Sequence, residues 1–286
     1  MHASFNPEDY ILKYSELEHV QDVTAIRHRI IREVFSQYGI KGVDFASAAD
    51  IPGGTGLGSS SAFTVGLLNL CNAYTGGRFL WRNELAERAC DVELHKLHEP
   101  IGKQDQYGCA LGGMNFIRFH EDDTVTYEEM GLDREQGQKL KDNLVMLYLG
   151  GTRSASEVLK AQNTATRNDP QVVENLKAMA QQAVDLRRVI EADVDVLGEF
   201  LHEGWERKRR LTAGISNPLI DAAYKQAIAA GATGGKLLGA GGSGFLLFYC
   251  PNGTRQAVVD AMPGLLSFPV EMDHMGTTII YRDGTK

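Results

Sequence analysis

The stretch Pro52-Gly53-Gly54-Thr55-Gly56-Leu57-Gly58-Ser59-Ser60-Ser61 carries the clearest chemistry in the chain. Gly53, Gly54, Gly56 and Gly58 lack a Cβ, so the backbone is free to take positive φ and to approach a ligand closely. Ser59, Ser60 and Ser61 then open an apolar segment, Ala62 to Tyr74, that reads as a helix. Unpaired N–H groups at a helix N-terminus, together with the helix dipole, favour an anion. A glycine loop feeding such a helix is a phosphate cradle. No Lys-Ser or Lys-Thr closes it, so it is not the Walker A form. The plain alternative is a glycine turn capped by serine.

Two further clusters stand far from the first in sequence. One is Glu93 with Asp105; the other is Lys236-Leu237-Leu238-Gly239-Ala240-Gly241-Gly242-Ser243-Gly244-Phe245. Phosphoryl transfer needs a phosphate cradle, a carboxylate for Mg²⁺, and a group that orients or deprotonates the attacking hydroxyl. The Ser60 hydroxyl and the Glu93 carboxylate are the candidates for Mg²⁺, which prefers oxygen ligands. Asp105, read as part of a short loop, is the candidate base. Gly241, Gly242 and Gly244 would let a strand pair approach the phosphate loop. Each has a plainer reading: a surface carboxylate for Glu93, a turn cap for Asp105, an ordinary hairpin for the glycines. Their order along one chain is what favours a kinase. A dinucleotide fold would need an acidic residue about twenty positions past the glycines. Glu84 and Glu87 are in range but fall within the next helix.

The chain has 286 residues, 43% hydrophobic and 23% charged, as expected of a globular protein with one or two domains. The net charge of −8 supplies no basic stripe for nucleic acid, yet leaves room for a local pocket that takes a small anion. No apolar run is long enough to span a bilayer, and the polar N-terminus does not resemble a signal peptide; a cytoplasmic protein without membrane partners is expected. Cys71, Cys90, Cys109 and Cys250 show no zinc spacing and are expected as free thiols.

The elements that must hold these residues follow from periodicity and punctuation. Tyr10 to Tyr14 and Val43 to Ile51 read as extended. One helix is expected from Asp22 to Tyr38, with Val23, Ile26, Ile30, Ile31 and Val34 inward and Gly39 ending it. Asn83 is expected to cap a helix running to His98, broken by Pro100-Ile101-Gly102. Met114 to Phe119 and Thr124 to Glu128 alternate as a hairpin, and Leu144 to Leu149 is an apolar strand. Helices are then expected over Ser154 to Gln162, Gln171 to Glu191, Asp195 to Leu211 and Pro218 to Ala230. Strands at Gly234 to Ala240 and Phe245 to Cys250 follow, then a helix over Arg255 to Met262. Strands near Phe268 to Glu271 and Thr277 to Tyr281 close the chain. Without βαβ regularity, two α+β domains are expected, 1–150 and 151–286.

The order P-x-x-x-G-L-G-S-S, then E with G-x-x-D-Q, then K-x-x-G-A-G-G-x-G resembles the GHMP small-molecule kinases, over about Tyr10 to Tyr281. Within that family it is similar to the D-glycero-D-manno-heptose 7-phosphate kinases. The shared features are Gly56 to Ser61 with Phe63, here after Ala62, Lys103-Gln104-Asp105-Gln106, Gly151 to Ser156, and His202-Glu203-Gly204-Trp205 with Lys208. The resemblance implies an N-terminal domain like ribosomal protein S5 domain 2 and a C-terminal ferredoxin-like domain. It implies ATP across Pro52 to Ser61 and beside Gly241 and Gly242, Mg²⁺ on Ser60 and Glu93, and Asp105 facing a sugar hydroxyl. Arg153, Lys208 and Gly241 are the implied sugar-phosphate side. The implied reaction phosphorylates the anomeric hydroxyl of a heptose 7-phosphate; a fucose or galactose 1-kinase, or a non-catalytic sensor, are the alternatives. A monomer or homodimer is expected. Relatives begin with a segment resembling R-x-P-x-R-I-S-F-x-G-G-G-T-D, and nothing like it precedes Tyr10. The expectation is a first domain lacking its first strands, with an open sheet edge and weakened sugar binding.

Overall fold

The computed structural model of the chain describes residues 1–151 and 155–283. Its first sheet contains β1 (His2–Ala3), β2 (Tyr10–Lys13), β3 (Leu17–Val20) and β4 (Val43–Ala46) in the order β1-β4-β2-β3. β2 runs parallel to β4, and the other pairs are antiparallel. Side chains alternate across a strand, so Tyr10, Leu12, Val43 and Phe45 enter one core. Ile31, Val34 and Phe35 of α1 (Arg29–Tyr38) and Val65, Leu68 and Cys71 of α2 (Ser59–Tyr74) complete it. α3 (Arg82–Cys90) continues into a π-helical turn, Asp91–Lys96, and α4 (Gln104–Leu111) follows. The hairpin β5 (Asn115–Phe119) and β6 (Val125–Glu129) then leads to α5 (Arg134–Asn143).

The second sheet is antiparallel, in the order β10 (Leu266–Pro269), β7 (Leu144–Tyr148), β9 (Phe245–Tyr249), β8 (Gly234–Leu237). Thus β7, from before residue 150, pairs with strands from the second half. Around this sheet lie α6 (Ala155–Asn168), α7 (Pro170–Val189), α8 (Val196–Lys208), α9 (Pro218–Ala229) and α10 (Arg255–Asp260). Trp205, Ile220, Tyr224, Leu246 and Phe248 centre its core. The α+β class holds.

Several elements differ from the sequence reading. The helix expected from Asp22 splits into a 3₁₀ turn, Val23–Ala25, and α1. The buried Glu18 carboxylate accepts hydrogen bonds from Arg27 N (2.7 Å) and His28 N (3.3 Å), which takes those amides out of any helix. Asn83 does not cap α3. The helix starts at Arg82 with Trp81 as its N-cap, two residues earlier than an Asn83 cap implies, and the Glu84 carboxylate reaches back to Trp81 N at 2.9 Å. α5 was not expected, and residues 277–281 form no strand. The helix expected from Pro218 is present as α9, and Asn217 caps it, accepting from Leu219 N and Ile220 N at 3.0 Å.

The four cysteines are free, and burial lifts the thiols of Cys71 and Cys90 to about 12 and those of Cys109 and Cys250 to about 11. Among the described residues, no helix is long and apolar enough to cross a membrane.

α8 lies against β8 through a glycine pair. A Cβ on Gly234 would overlap Gly198 O and lie 3.0 Å from His202 Cβ. Gly137, inside α5, has open space where a Cβ would go. Gly234→Ala should therefore lower stability by about 1–3 kcal/mol through overpacking. Gly137→Ala should raise it by roughly 0.5–1 kcal/mol through helix propensity. Urea midpoints at constant m-value test both signs; equal midpoints for the two variants would contradict this packing.

Candidate active site

Glu93 sits in the π-helical turn after α3, a geometry that recurs at functional sites. Its side chain is wholly buried at 0% exposure, which removes the surface-carboxylate reading. Three donors converge on it. Ser60 Oγ donates to Oε1 at 2.5 Å, Ser61 Oγ to Oε2 at 2.8 Å, and Gln106 Nε2 to Oε2 at 2.6 Å. The serines come from the first turn of α2 and the glutamine from the first turn of α4. These charge-assisted bonds fasten three elements to one carboxylate.

The loop before α2 has the expected backbone. Gly54, Gly56 and Gly58 have φ of 76°, 86° and 67°, and Gly58 is the N-cap of α2. Thr55 is fully buried and donates to Pro52 O at 2.9 Å, which closes the turn containing Gly53. No side chain caps α2, and Ser59 Oγ is buried without a partner among the described residues. Leu57 is half-buried between the glycines.

Asp105 lies in the first turn of α4 and not in a loop, because Gln104–Leu111 is helical. A Cβ on Gly58 would lie 3.3 Å from its Oδ2, so the carboxylate stands directly against the glycine loop. The surrounding protein pushes the Asp105 carboxyl above its ordinary value, while the charges of Lys208 and Lys236 pull it back. A raised carboxyl is the better proton acceptor near neutral pH. Lys208, the last residue of α8, donates to Leu237 O at 3.3 Å and Gly239 O at 2.5 Å. Burial and the neighbouring Lys236 push its ammonium down to about 7, against the pull of Asp105.

The third glycine cluster meets the loop backbone to backbone. A Cβ on Gly56 would lie 2.8 Å from Leu238 O, one on Gly239 would overlap Gly56 Cα, and one on Gly244 would overlap Thr55 O. The expected approach is thus made by Gly239 and Gly244. Gly241 packs instead on Ile215, its missing Cβ 2.7 Å from Ile215 Cα. Gly242 exchanges hydrogen bonds with Ile215 O and Asn217 Nδ2 at 3.0 Å each. His202 bonds Tyr224 Oη at 2.8 Å and Trp205 is fully buried, so both belong to the packing of α8. Arg153 lies outside the described residues. Sequence reasoning missed Gln106 and Thr55 as site residues and passed over Lys236. The doubled glutamine of Lys103-Gln104-Asp105-Gln106 and the lysine opening the third cluster were the available signals.

Among the described residues, no three His, Cys, Asp or Glu gather as a metal site. Two oxygen donors completed by phosphate oxygens are what Mg²⁺ commonly uses, and Ser60 with Glu93 form such a pair. The unpartnered Ser59 hydroxyl at the helix start suits a phosphate. The residues present therefore fit a magnesium–nucleotide pair. A cavity of about 250 Å³ opens beside Ser60 and Glu93, lined also by His28, Arg29, Ile30, Leu97 and Glu99.

Residues 18–113 match the description "GHMP kinases N terminal domain" and residues 177–264 match "GHMP kinases C terminal". The chain belongs to the GHMP kinase family. A D-glycero-alpha-D-manno-heptose 7-phosphate kinase of Campylobacter jejuni is 28% identical over 215 residues, 75% of this chain and 63% of that protein. A Bacteroides fragilis L-fucokinase/L-fucose-1-P guanylyltransferase is 28% identical over 238 residues, 78% of this chain and 24% of its own length. The match thus spans less than two thirds of these relatives. The solved structure of a D-glycero-D-manno-heptose 1-phosphate kinase from Bacteroides thetaiotaomicron superposes with a TM-score of 0.72. At 22% identity, it covers 94% of this chain and 82% of that one. The GHMP kinase fold is therefore shared, and in this chain the glycine loop, the buried Glu93 and the loop-facing Asp105 lie together.

The two carboxylates should respond to amidation in opposite ways. Glu93→Gln turns an acceptor into a donor facing donors, and should lower stability by about 1–3 kcal/mol. For Asp105 the folded-state value is raised, so ionisation favours the unfolded chain as pH climbs through it. Asp105→Asn removes that penalty. Its melting midpoint at pH 7 should match or exceed the wild type, and the difference should shrink below roughly pH 4, where the unfolded carboxyl also protonates. A lower midpoint for Asp105→Asn at pH 7 would show that its charge is stabilised by the fold.

Proposed function

We propose that the chain is an ATP-dependent sugar-phosphate kinase acting on the anomeric hydroxyl of a heptose 7-phosphate to give the 1,7-bisphosphate. The observation that carries this is the placement of Asp105 directly against Gly58, two residues before Ser60 of the Ser60–Glu93 pair. The glycine loop and the N-terminus of α2 receive the nucleotide phosphates through backbone N–H groups. Ser60 and Glu93 would hold Mg²⁺, which supplies charge neutralisation to the phosphate oxygens when bound. Asp105 accepts the proton of the sugar hydroxyl as its oxygen bonds to the γ-phosphorus. The bond from that phosphorus to the bridging oxygen breaks, and ADP carries the electron pair away. Lys208 reaches the same cleft from α8.

The heptose substrate is supported by the Campylobacter jejuni relative and by the Bacteroides thetaiotaomicron structure, whose names give heptose phosphate kinases. A second reading, a fucose- or galactose-type 1-kinase, is supported by the fucokinase relative and by a galactokinase of similar fold. Ser60, Glu93 and Asp105 together weigh against a sensor without catalysis.

A coupled ADP-release assay across heptose 7-phosphate, fucose, galactose and mevalonate decides among these. Turnover should be greatest with heptose 7-phosphate; a preference for an unphosphorylated sugar would replace the first reading by the second. Asp105→Asn should retain nucleotide affinity and lose roughly 10²–10⁴-fold in kcat. Gly58→Val should fail to bind nucleotide in calorimetry while remaining folded, since it forces a β-branched residue into positive φ against Asp105. Unchanged affinity there would take the loop out of the mechanism.

A further inference from the structure

Lys236 lies on β8 opposite Leu247 of β9. Side chains alternate along a strand, so Lys236 shares its face with Gly234, while Gly235 and Leu237 take the other. The missing side chain of Gly234 faces Gly198 and His202 of α8. Lys236 therefore points to the α8 side of the sheet, where Lys208 ends that helix and bonds the carbonyl of Leu237, the next residue after Lys236. Asp105 is the carboxylate whose charge reaches both lysines. Lys208 donates to two carbonyls. Among the described residues, no hydrogen bond or ion pair holds the Lys236 ammonium. One carboxylate thus faces two half-buried ammonium groups, and burying an unpaired charge is costly. Burial lowers both lysines, against the pull of the Asp105 charge.

We propose that Lys236 and Lys208 form a binding site for a phosphate dianion beside Asp105. This deepens the kinase reading and rests on it: the dianion is either the terminal phosphate of the nucleotide or the phosphate carried by the acceptor sugar. A dianion supplies the negative charge that the cluster lacks and acceptors for the free Lys236 ammonium. The seam at Gly56, Leu238 and Gly239 brings this strand end against the glycine loop. Lys236 also stands three residues before Gly239, on a strand and not on a loop, which makes its position rigid.

The test is calorimetry on the whole chain and on Lys236→Gln, with Mg²⁺–AMP-PNP, Mg²⁺–ADP, heptose 7-phosphate and unphosphorylated heptose. If the site holds the terminal phosphate, Lys236→Gln should weaken AMP-PNP by about tenfold or more and leave ADP within about twofold. If it holds the acceptor phosphate, the loss of about tenfold should fall on heptose 7-phosphate and spare the free sugar. Affinities unchanged for all four ligands, with a wild type that turns over, overturn the lysine site and leave the kinase reading standing. A wild type that binds no nucleotide overturns the kinase reading itself. Should Lys236→Gln fail to fold, the wild type answers alone. Inorganic phosphate should slow acetylation of Lys236, measured by mass spectrometry, relative to the exposed Lys177. Equal rates with and without phosphate would overturn the proposal.

Discussion

A single buried carboxylate organises this molecule. Glu93 receives Ser60 and Ser61 from the start of α2 and Gln106 from the start of α4, while its own backbone belongs to the turn that ends α3. A wholly buried carboxylate is tolerable only when its lone pairs are occupied. That need fixes where α2 begins relative to α4, and so where the glycine loop stands relative to Asp105. The chemistry attributed to Asp105 depends on this fastening more than on any contact Asp105 makes itself.

The second constraint is steric. The loop at Thr55 and Gly56 meets the turn from Leu238 to Gly244 through main-chain atoms, with Gly56, Gly239 and Gly244 admitting no Cβ. Contacts of this kind transmit position without side-chain adjustment. Lys208 reinforces them by bonding the carbonyls of Leu237 and Gly239 from α8. The glycine loop of the first half and Lys208 of the second half are therefore held as one arrangement.

Much of the site could be read from residue types. The glycine loop, Ser60, Glu93 and Asp105 each had a plain reading alone, and it was their order along the chain that singled them out. Elements with strong local signals, such as Asn217-Pro218 opening α9, were equally legible. What escaped depended on distant partners. The break at Arg27 and His28 is made by Glu18, nine and ten residues upstream. Asp105 looked like a loop residue because Pro100-Ile101-Gly102 breaks the preceding helix and small residues follow, yet α4 forms, packed on α2 and α3. α5 buries only Leu140, too little for an apolar stripe to show. Residues 277–281 have strand-like composition and no strand to pair with. Lys236 looked like one charge in a strand until α8 was placed over it.

The π-helical turn at Asp91–Lys96 has a consequence in helical phase. An α-helix advances about 100° per residue, so a turn holding one extra residue resets which side each later residue faces. α3 can bury Leu85, Ala86 and Ala89 in the first core and still deliver Glu93 to the serines of α2. Removing one residue from this turn would regularise the helix and rotate the chain beyond it by about that angle. The glycine loop would then lose its anchor although every residue type in the candidate site remained, so the length of this short segment matters to that site as much as its glutamate does.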